Sequence, residues 1–473
     1  MSTTAETKAE IKSQNGSHRN GFSFNNGYPS RDTSEKLYEE LDYQRAVQAY
    51  IWATPLVNSI AMAKALGLIG LDPADPAMIV FNKPMSPRQI FPTCNPVSTY
   101  GFSCVDLSKT GPFVVHAPEG VLGGIVDFWQ RAIVDIGIGP SLKGGKFLLL
   151  PDVYIDGVPE GYIPACSRTN RVWIFGRGAL SSDDPDGPLK RLASVGLYPL
   201  SRKKSDRTTK MIYAGDVPMN TNWPDDYRYF EYLAEGLSDV IVEPEDKLMY
   251  GMLKPLGIEP GKPFRPTKRQ RNILTRAAAT GSAMIANMAF ANRFDDRQIW
   301  PDREWEKLTF ASTPVFATSE RVELDERAKA GCQFQMSGRY QYDAEPLPGQ
   351  GSWYASAFRD GKGAFLEGAK SYKLTVPANP PAKDFWSLTI YNNRTRSMID
   401  TDQQRPGFSC QSNNKKNADG SIDLYIGPTV PDGMEDNWIK TIPGEGFFAM
   451  FCLFGPLEPV FEGTWKINDL ERF

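Results

Sequence analysis

Short β-rich runs, broken by glycine and proline at every interval, fill most of this chain and constrain its fold more than any other feature. In the first half they are Phe113-Val114-Val115-His116, Ile125 to Trp129, Lys146 to Leu150 and Val172-Trp173-Ile174-Phe175, separated by Gly111-Pro112, Pro118-Glu119-Gly120, Gly139-Pro140, Gly144-Gly145 and Pro159-Glu160-Gly161. Runs this short cannot be extended into helices across such breakers, so the pattern predicts an antiparallel sandwich or barrel. From about Lys307 the period is two: Tyr372, Leu374 and Val376 alternate with polar residues, as do Trp386, Leu388 and Ile390, then Ile422, Leu424 and Ile426, then Phe461, Trp465 and Ile467. Alternation gives each set one buried face. Asp419-Gly420 marks a hairpin turn into Ser421 to Ile426. The 41 glycines and 37 prolines among 473 residues exceed ordinary usage and supply the turns.

Helical spacing is confined to two places. Val47, Tyr50, Ile51, Ile60 and Ala61 share a face between Leu41 and Leu66, but Pro55 lies between them, and two helical pieces are expected there. Thr267 with Gln270 three residues on forms a capping box ahead of Ile273, Leu274, Ala277, Ala278, Gly281, Met284, Ile285 and Met288, so Met284 and Met288 read as core packing. The fold class is therefore mainly β with α: two antiparallel β-sandwich or jelly-roll-like domains joined by a helical connector. The boundaries expected are a disordered leader (1–33), N-terminal helices plus the first β domain (34–182), a charged linker and helical connector (183–306) and the second β domain (307–473).

Composition narrows the function by exclusion. Lys+Arg 53 against Asp+Glu 56 gives a net charge of −3, so there is no basic field to hold a nucleic acid. Of the two histidines, His18 lies in the polar leader, leaving His116 as the sole imidazole of the folded body. Cys94, Cys104, Cys166, Cys332, Cys410 and Cys452 form no C-x-x-C pair, so no zinc site is expected; they read as reduced thiols, with a Cys94–Cys104 bridge left open. Gly176-Arg177-Gly178 and Gly361-Lys362-Gly363 lack the third glycine of a dinucleotide loop, and Gly139 to Lys146 lacks the lysine of a phosphate loop at the position that needs it. No cofactor or metal is expected. No signal peptide or apolar membrane-spanning stretch is found, so a cytoplasmic protein is expected, with a small-molecule ligand, no nucleic-acid or membrane partner, and homo-oligomer formation left open.

The candidate residues are polar groups at strand ends. Asn392, Arg394 and Arg396 follow the buried strand Trp386 to Tyr391, where amide and guanidinium donors can hold an anion or a hydroxyl-rich ligand, or else fasten a turn. Asn437 with Trp438, and Asn95 with Tyr100 and Asp106, combine an aromatic surface with hydrogen-bonding tips. Asp127 and Arg177 lie in or beside strands of the first sandwich, where a buried charge needs a partner, and they are expected to be able to pair with each other. His116 closes an apolar strand, as a structural residue or as the base of a catalytic set. Asp127, Arg177, Tyr100 and His116 are the catalytic candidates; Asn95, Asp106, Asn392, Arg394, Arg396, Asn437 and Trp438 are the candidates for binding substrate.

Two series of blocks add a resemblance. Asn95-Pro96-Val97-Ser98-Thr99-Tyr100, Lys143 to Pro151, Val158 to Tyr162 and Val172 to Arg177 resemble the domain of unknown function numbered 1254. Trp386 to Tyr391, Thr395-Arg396-Ser397, Asp423 to Pro428, Asn437-Trp438-Ile439 and Phe454 to Glu458 resemble its companion, numbered 1214. The resemblance implies two jelly-roll-like β domains joined by helices and no particular reaction. The chain departs from the resemblance at Val97, where many relatives carry an acidic residue, and in lacking the export signal with which many of them begin.

Elimination and the strand-end clusters together lead to the functional expectation. It is a cofactor-independent enzyme that hydrolyses, dehydrates or isomerises a small polar or aromatic metabolite in a cleft between the two β domains, through Asp, Glu, Tyr and Arg groups. The alternative is a non-catalytic carbohydrate- or metabolite-binding protein that uses Trp438 and Tyr391 as a platform.

Overall fold

In a computed structural model, which describes residues 21–151, 154, 156–179, 184, 186–238, 240–308, 313, 315–336 and 347–473, a single 37-residue helix, α1 (Arg31–Gly67), runs unbroken through Pro55. The two helical pieces expected there are one. An interior proline costs about 3 kcal/mol, but every residue from Ala49 to Met62 is buried, and each large apolar side chain so buried returns about 1.5–3 kcal/mol. Carbonyls near the proline gain side-chain donors: Thr54 Oγ1 and Tyr229 Oη both donate to the Tyr50 carbonyl, at 2.9 and 2.7 Å, and Arg327 donates to that of Trp52 at 2.9 Å. Around α1 pack α2 (Arg228–Leu237), α3 (Lys268–Phe290) and α4 (Leu324–Gln333). The Thr267–Gln270 capping box opens α3 as expected. Gly281 lets α3 approach α1, since a Cβ there would lie 2.6 Å from the Tyr50 ring. Met288 packs on this core, but Met284 is 43% exposed, because the face that meets α1 runs through Ala277, Gly281 and Ile285.

Part of the expected leader has defined structure. Phe24–Asn25 pairs with Tyr28–Pro29, and Ser30 then caps α1 by accepting from the Thr33 N–H. Residues 1–20 of that leader lie outside the described residues.

Among the described residues, ten strands form the two main sheets of the first β domain: β1 (Ala77–Val80), β2 (Ser98–Asp106), β3 (Phe113–Ala117), β4 (Leu122–Asp127), β5 (Ala132–Ile136), β6 (Gly145–Pro151), β7 (Ile163–Ser167), β8 (Arg171–Ala179), β9 (Gly196–Pro199) and β10 (Lys210–Tyr213). They form an outer sheet in the order β7-β6-β3-β9 and an inner sheet in the order β10-β1-β2-β8-β4-β5. The pairing is antiparallel except for β6–β7 and β1–β10. Because β9 and β10 belong to these sheets, the first domain extends past the charged stretch expected to end it near residue 183; residues 180–183 of that stretch lie outside the described residues.

Among the described residues the second domain has nine strands: β11 (Trp305–Glu306), β12 (Ser352–Ala357), β13 (Tyr372–Val376), β14 (Ala382–Asn392), β15 (Gly407–Ser409), β16 (Ile422–Gly427), β17 (Trp438–Lys440), β18 (Phe447–Pro456) and β19 (Leu470–Arg472). The inner sheet runs β11-β12-β18-β14-β15 and the outer sheet β17-β16-β13-β19. Asp419-Gly420 turns the chain, but β16 pairs with β13 and β17 instead of closing a local hairpin. The alternation at Phe461, Trp465 and Ile467 is not a strand: Glu458–Phe461 is a helical turn, and Ile467 is buried in the core between this domain's sheets. Each domain has a core between its own two sheets, and a third core runs from α1 to Phe102 on one inner sheet and to Tyr391, Phe448 and Met450 on the other. The two inner sheets thus face each other beside the helices. Among the described residues, no helix is long and apolar enough to cross a membrane.

Candidate functional site

Side chains alternate along a strand, so register alone fixes what each inner sheet presents. Across the first domain, Tyr100 on β2, Arg177 on β8 and Leu122 on β4 form one row, and Phe102, Phe175, Gly124 and Asp135 form the next row on the same face. Across the second domain, Tyr354, Cys452 and Ser387 form a row on β12, β18 and β14, flanked by Ser352, Phe454 and Phe385 on one side and by Ser356, Met450 and Thr389 on the other. The intervening residues of the same strands, such as Leu453, Trp386, Phe451 and Leu388, turn into the second domain's own core. Between the two presented faces lies a cavity of about 610 Å³, closed at its sides by Thr93 to Asn95, by Phe334 to Met336 after α4, by Trp300 and by Val460 to Gly463.

Arg177 bridges the domains at this cavity. Its Nη2 donates to Ser352 Oγ at 2.8 Å and to Tyr354 Oη at 2.6 Å, and the guanidinium lies 5.2 Å from the centre of the Phe454 ring. Burial opposes its charge, and the Tyr354 hydroxyl, which accepts from Nη2, favours it; a guanidinium stays protonated here in any case. Tyr100 Oη accepts from the Asn95 N–H at 3.2 Å, and burial keeps this phenol protonated far above neutral pH. Burial likewise pushes the Cys94 thiol up to about 12 and raises Tyr391, whose hydroxyl donates to the Thr93 carbonyl at 3.3 Å. These phenols and the thiol can donate hydrogen bonds, but they cannot act as bases near neutrality. The loop that carries Cys94 and Asn95 is held at Thr93, whose N–H donates to the Arg396 carbonyl at 2.8 Å and whose hydroxyl donates to the Gln333 carbonyl at 3.0 Å.

Of the residues singled out from the sequence, Tyr100, Arg177 and Asn95 meet on the cavity wall. Asp127 does not pair with Arg177. It stands opposite Val172 on β8, too far along the strand, and binds Arg131 instead, with Nε to Oδ2 at 2.6 Å and the Arg131 N–H to Oδ1 at 2.9 Å. His116 is exposed on the outer sheet, across from Lys146 and Gly196, with its pKa lowered by desolvation and by Lys146. Asp106 caps a one-turn helix by accepting from the Ser108 N–H and hydroxyl. Asn392 accepts from the N–H groups of Arg394 and Thr395 and donates to Glu445, and Arg394 is exposed beside that same carboxylate. Arg396 donates to the carbonyls of Cys332 and Arg394 and to Asn222 Oδ1. Asn437 ties Lys415 to Asp423, and Trp438 donates to the Gly427 carbonyl at 2.9 Å. None of these eight lines the cavity.

Sequence reasoning missed Ser352, Tyr354, Ser387, Thr389, Cys94 and Cys452. A signal existed for two of them. Ser387, Thr389 and Tyr391 alternate with Trp386, Leu388 and Ile390, so the strand read for its apolar face carries a hydroxyl row on the other. All six cysteines are free thiols, Cys94 and Cys104 included. Among the described residues, no three His, Cys, Asp or Glu side chains gather closely enough to hold a metal ion.

A fold of two facing β domains around an apolar interdomain cavity is the class to which this molecule belongs. Models of two protein families of unknown function match it, DUF1254 over residues 77–195 and DUF1214 over residues 351–458, in the order of the two-domain family of unknown function that joins them. Each matched segment supplies one cavity face. The VPA0106 protein of Vibrio parahaemolyticus has a similar crystal structure, with a TM-score of 0.53 at 19% identity, covering 91% of this chain and 100% of that one. An uncharacterised protein from Burkholderia cenocepacia gives a TM-score of 0.41 at 12% identity, covering 93% of this chain and 96% of that one. No curated protein matches the chain. The Vibrio likeness bears on the fold alone.

Proposed function

We propose that the protein takes a small polar or aromatic organic molecule into the cavity between its β domains and processes it by proton-transfer chemistry, through hydrolysis, dehydration or isomerisation, with its own side chains. One observation carries this reading: hydrogen-bond donors from both domains, Arg177, Tyr354, Ser352 and Tyr100, gather on an otherwise largely apolar cavity. Its size falls within the range of roughly 300–1,000 Å³ usual for small-molecule sites. Fixed donors in a water-poor site stabilise negative charge that develops on an oxygen. Asp135, on the same sheet face, is the carboxylate that would accept a proton.

The test is depletion of compounds from a defined metabolite library, followed by mass spectrometry. The expected result is that the wild type consumes at least one compound and that Asp135→Asn slows this by roughly 10²–10⁴-fold while the compound still binds in calorimetry. A second reading, a binding protein without turnover, is favoured by the placement of His116, Asp106 and Asp127 outside the cavity. Ligands that bind the wild type and are recovered unchanged would select it.

A further inference from the structure

Several charges buried elsewhere among the described residues have counter-charges. Arg131 meets Asp127, Arg297 meets Glu306, and Lys329 is near Glu326 and Glu306. Arg177 is different. Among the described residues its only hydrogen bonds run from one nitrogen, Nη2, to two neutral hydroxyls, and no carboxylate pairs with it. A guanidinium has five N–H donors. Those on Nε and Nη1 take no partner from the described residues, yet neither atom is sealed from solvent, and the residue lines the cavity. A cation kept in a poorly hydrated place with only neutral partners is unfavourable until an anion arrives, and a carboxylate matches a guanidinium through two parallel N–H···O bonds.

The rest of the wall limits that anion to a single charge and gives it an apolar body. Phe102, Phe175, Phe334, Trp353 and Met450 line the space. The one other cation among the lining residues, Lys307, pairs with Asp296 at 3.3 Å, and Asp135 and Glu462 would repel a polyanion. We propose that the occupant of the cavity is an organic monocarboxylate with an aromatic or branched apolar body, anchored through its carboxylate on Arg177. This rests on the small-molecule reading of the same cavity and specifies its ligand class.

Matched probes test it on the full-length chain by isothermal titration: 3-phenylpropionate against 3-phenylpropanamide, octanoate against octanamide, and 3-phenylpropylamine as the opposite charge. The acids are expected to bind the wild type roughly ten- to a hundredfold more tightly than their amides, the range for hydrogen bonds to a charged group. Arg177→Met should abolish that preference while leaving amide affinity in place. Arg177→Lys, which keeps the charge and loses the fork, should retain part of it, and its preference decides the matter should Arg177→Met fail to fold by circular dichroism. Equal binding of acid and amide to the wild type, or an acid preference that survives Arg177→Met, overturns the assignment. If amides or the amine bind without acid preference, and Thr389→Trp blocks them by filling the cavity, the anion assignment fails and the small-molecule reading stands. If no probe binds, or binding survives Thr389→Trp, both fail.

Discussion

Arg396 and Arg177 both stand near the ends of strands, and each places its guanidinium 5.2 Å from an aromatic ring, Trp223 for the first and Phe454 for the second. Their partners differ in kind. Arg396 spends all three nitrogens on acceptors of its surroundings, the carbonyls of Cys332 and Arg394 and the side chain of Asn222, in a turn where its own φ is +59°. It joins the end of α4 to the second domain, and its carbonyl holds the loop that carries Cys94 and Asn95. Arg177 touches two hydroxyls and otherwise looks into open space. An arginine whose donors are consumed by carbonyls is a fastener, and one left with spare donors beside a cavity is an anchor for something absent from the chain. The loop Asn392 to Arg396 has more the look of a ligand site when read as letters, yet it is the clasp.

The contrast can be broken in three ways. The largest effect of a single substitution on stability is expected from Arg396→Ala, which strands two carbonyls and one amide oxygen and should cost about 1–3 kcal/mol in urea unfolding, with cavity ligands still bound by the variant that remains folded. Loss of ligand at unchanged stability would reverse the roles of the two arginines. Next is alkaline pH. The Cys94 thiol, ordinarily near 9, is pushed up to about 12 by burial, so the folded chain keeps a proton that the unfolded chain releases above about pH 9. The folded state therefore binds more protons, and stability should fall between pH 9 and 12 by about 1.4 kcal/mol per unit for one such group. Tyr100 and Tyr391, raised in the same direction, add to the fall at the upper end. Urea midpoints measured across that range check this, and a flat profile would mean that the cavity wall is hydrated and Arg177 no more desolvated than Arg396. The smallest effect is expected from His116→Gln. On the exposed outer sheet it should leave unfolding within about 0.5 kcal/mol of the wild type and turnover and binding unchanged, and any loss of activity would place a reacting group outside the cavity.

Alternation marks strands with one wet face: Tyr372, Leu374 and Val376 alternate because β13 lies in an outer sheet. Two of the strands that build the site were overlooked. In β18 all ten residues from Phe447 to Pro456 are buried, and in β2 every residue from Ser98 to Val105 is. A strand covered on both faces has no reason to alternate, so its periodic signal disappears. The same cause hid the continuity of α1. It is enclosed on all sides around Pro55, and no polar stripe marked its course.

Composition and pattern were enough to establish a mainly β chain in two parts and a capped helix at Thr267, and to single out Tyr100 and Arg177, which line the cavity. These are local properties, written in turn formers, caps and alternation over a few residues. Which of the polar residues share a cavity was settled by the pairing of Arg177 with Tyr100 in one sheet, of Tyr354 with Cys452 in another, and by the docking of those sheets against each other. Contacts between residues about 175 positions apart, such as Arg177 with Ser352, leave no trace in either local stretch, because each segment satisfies its own backbone with or without the other.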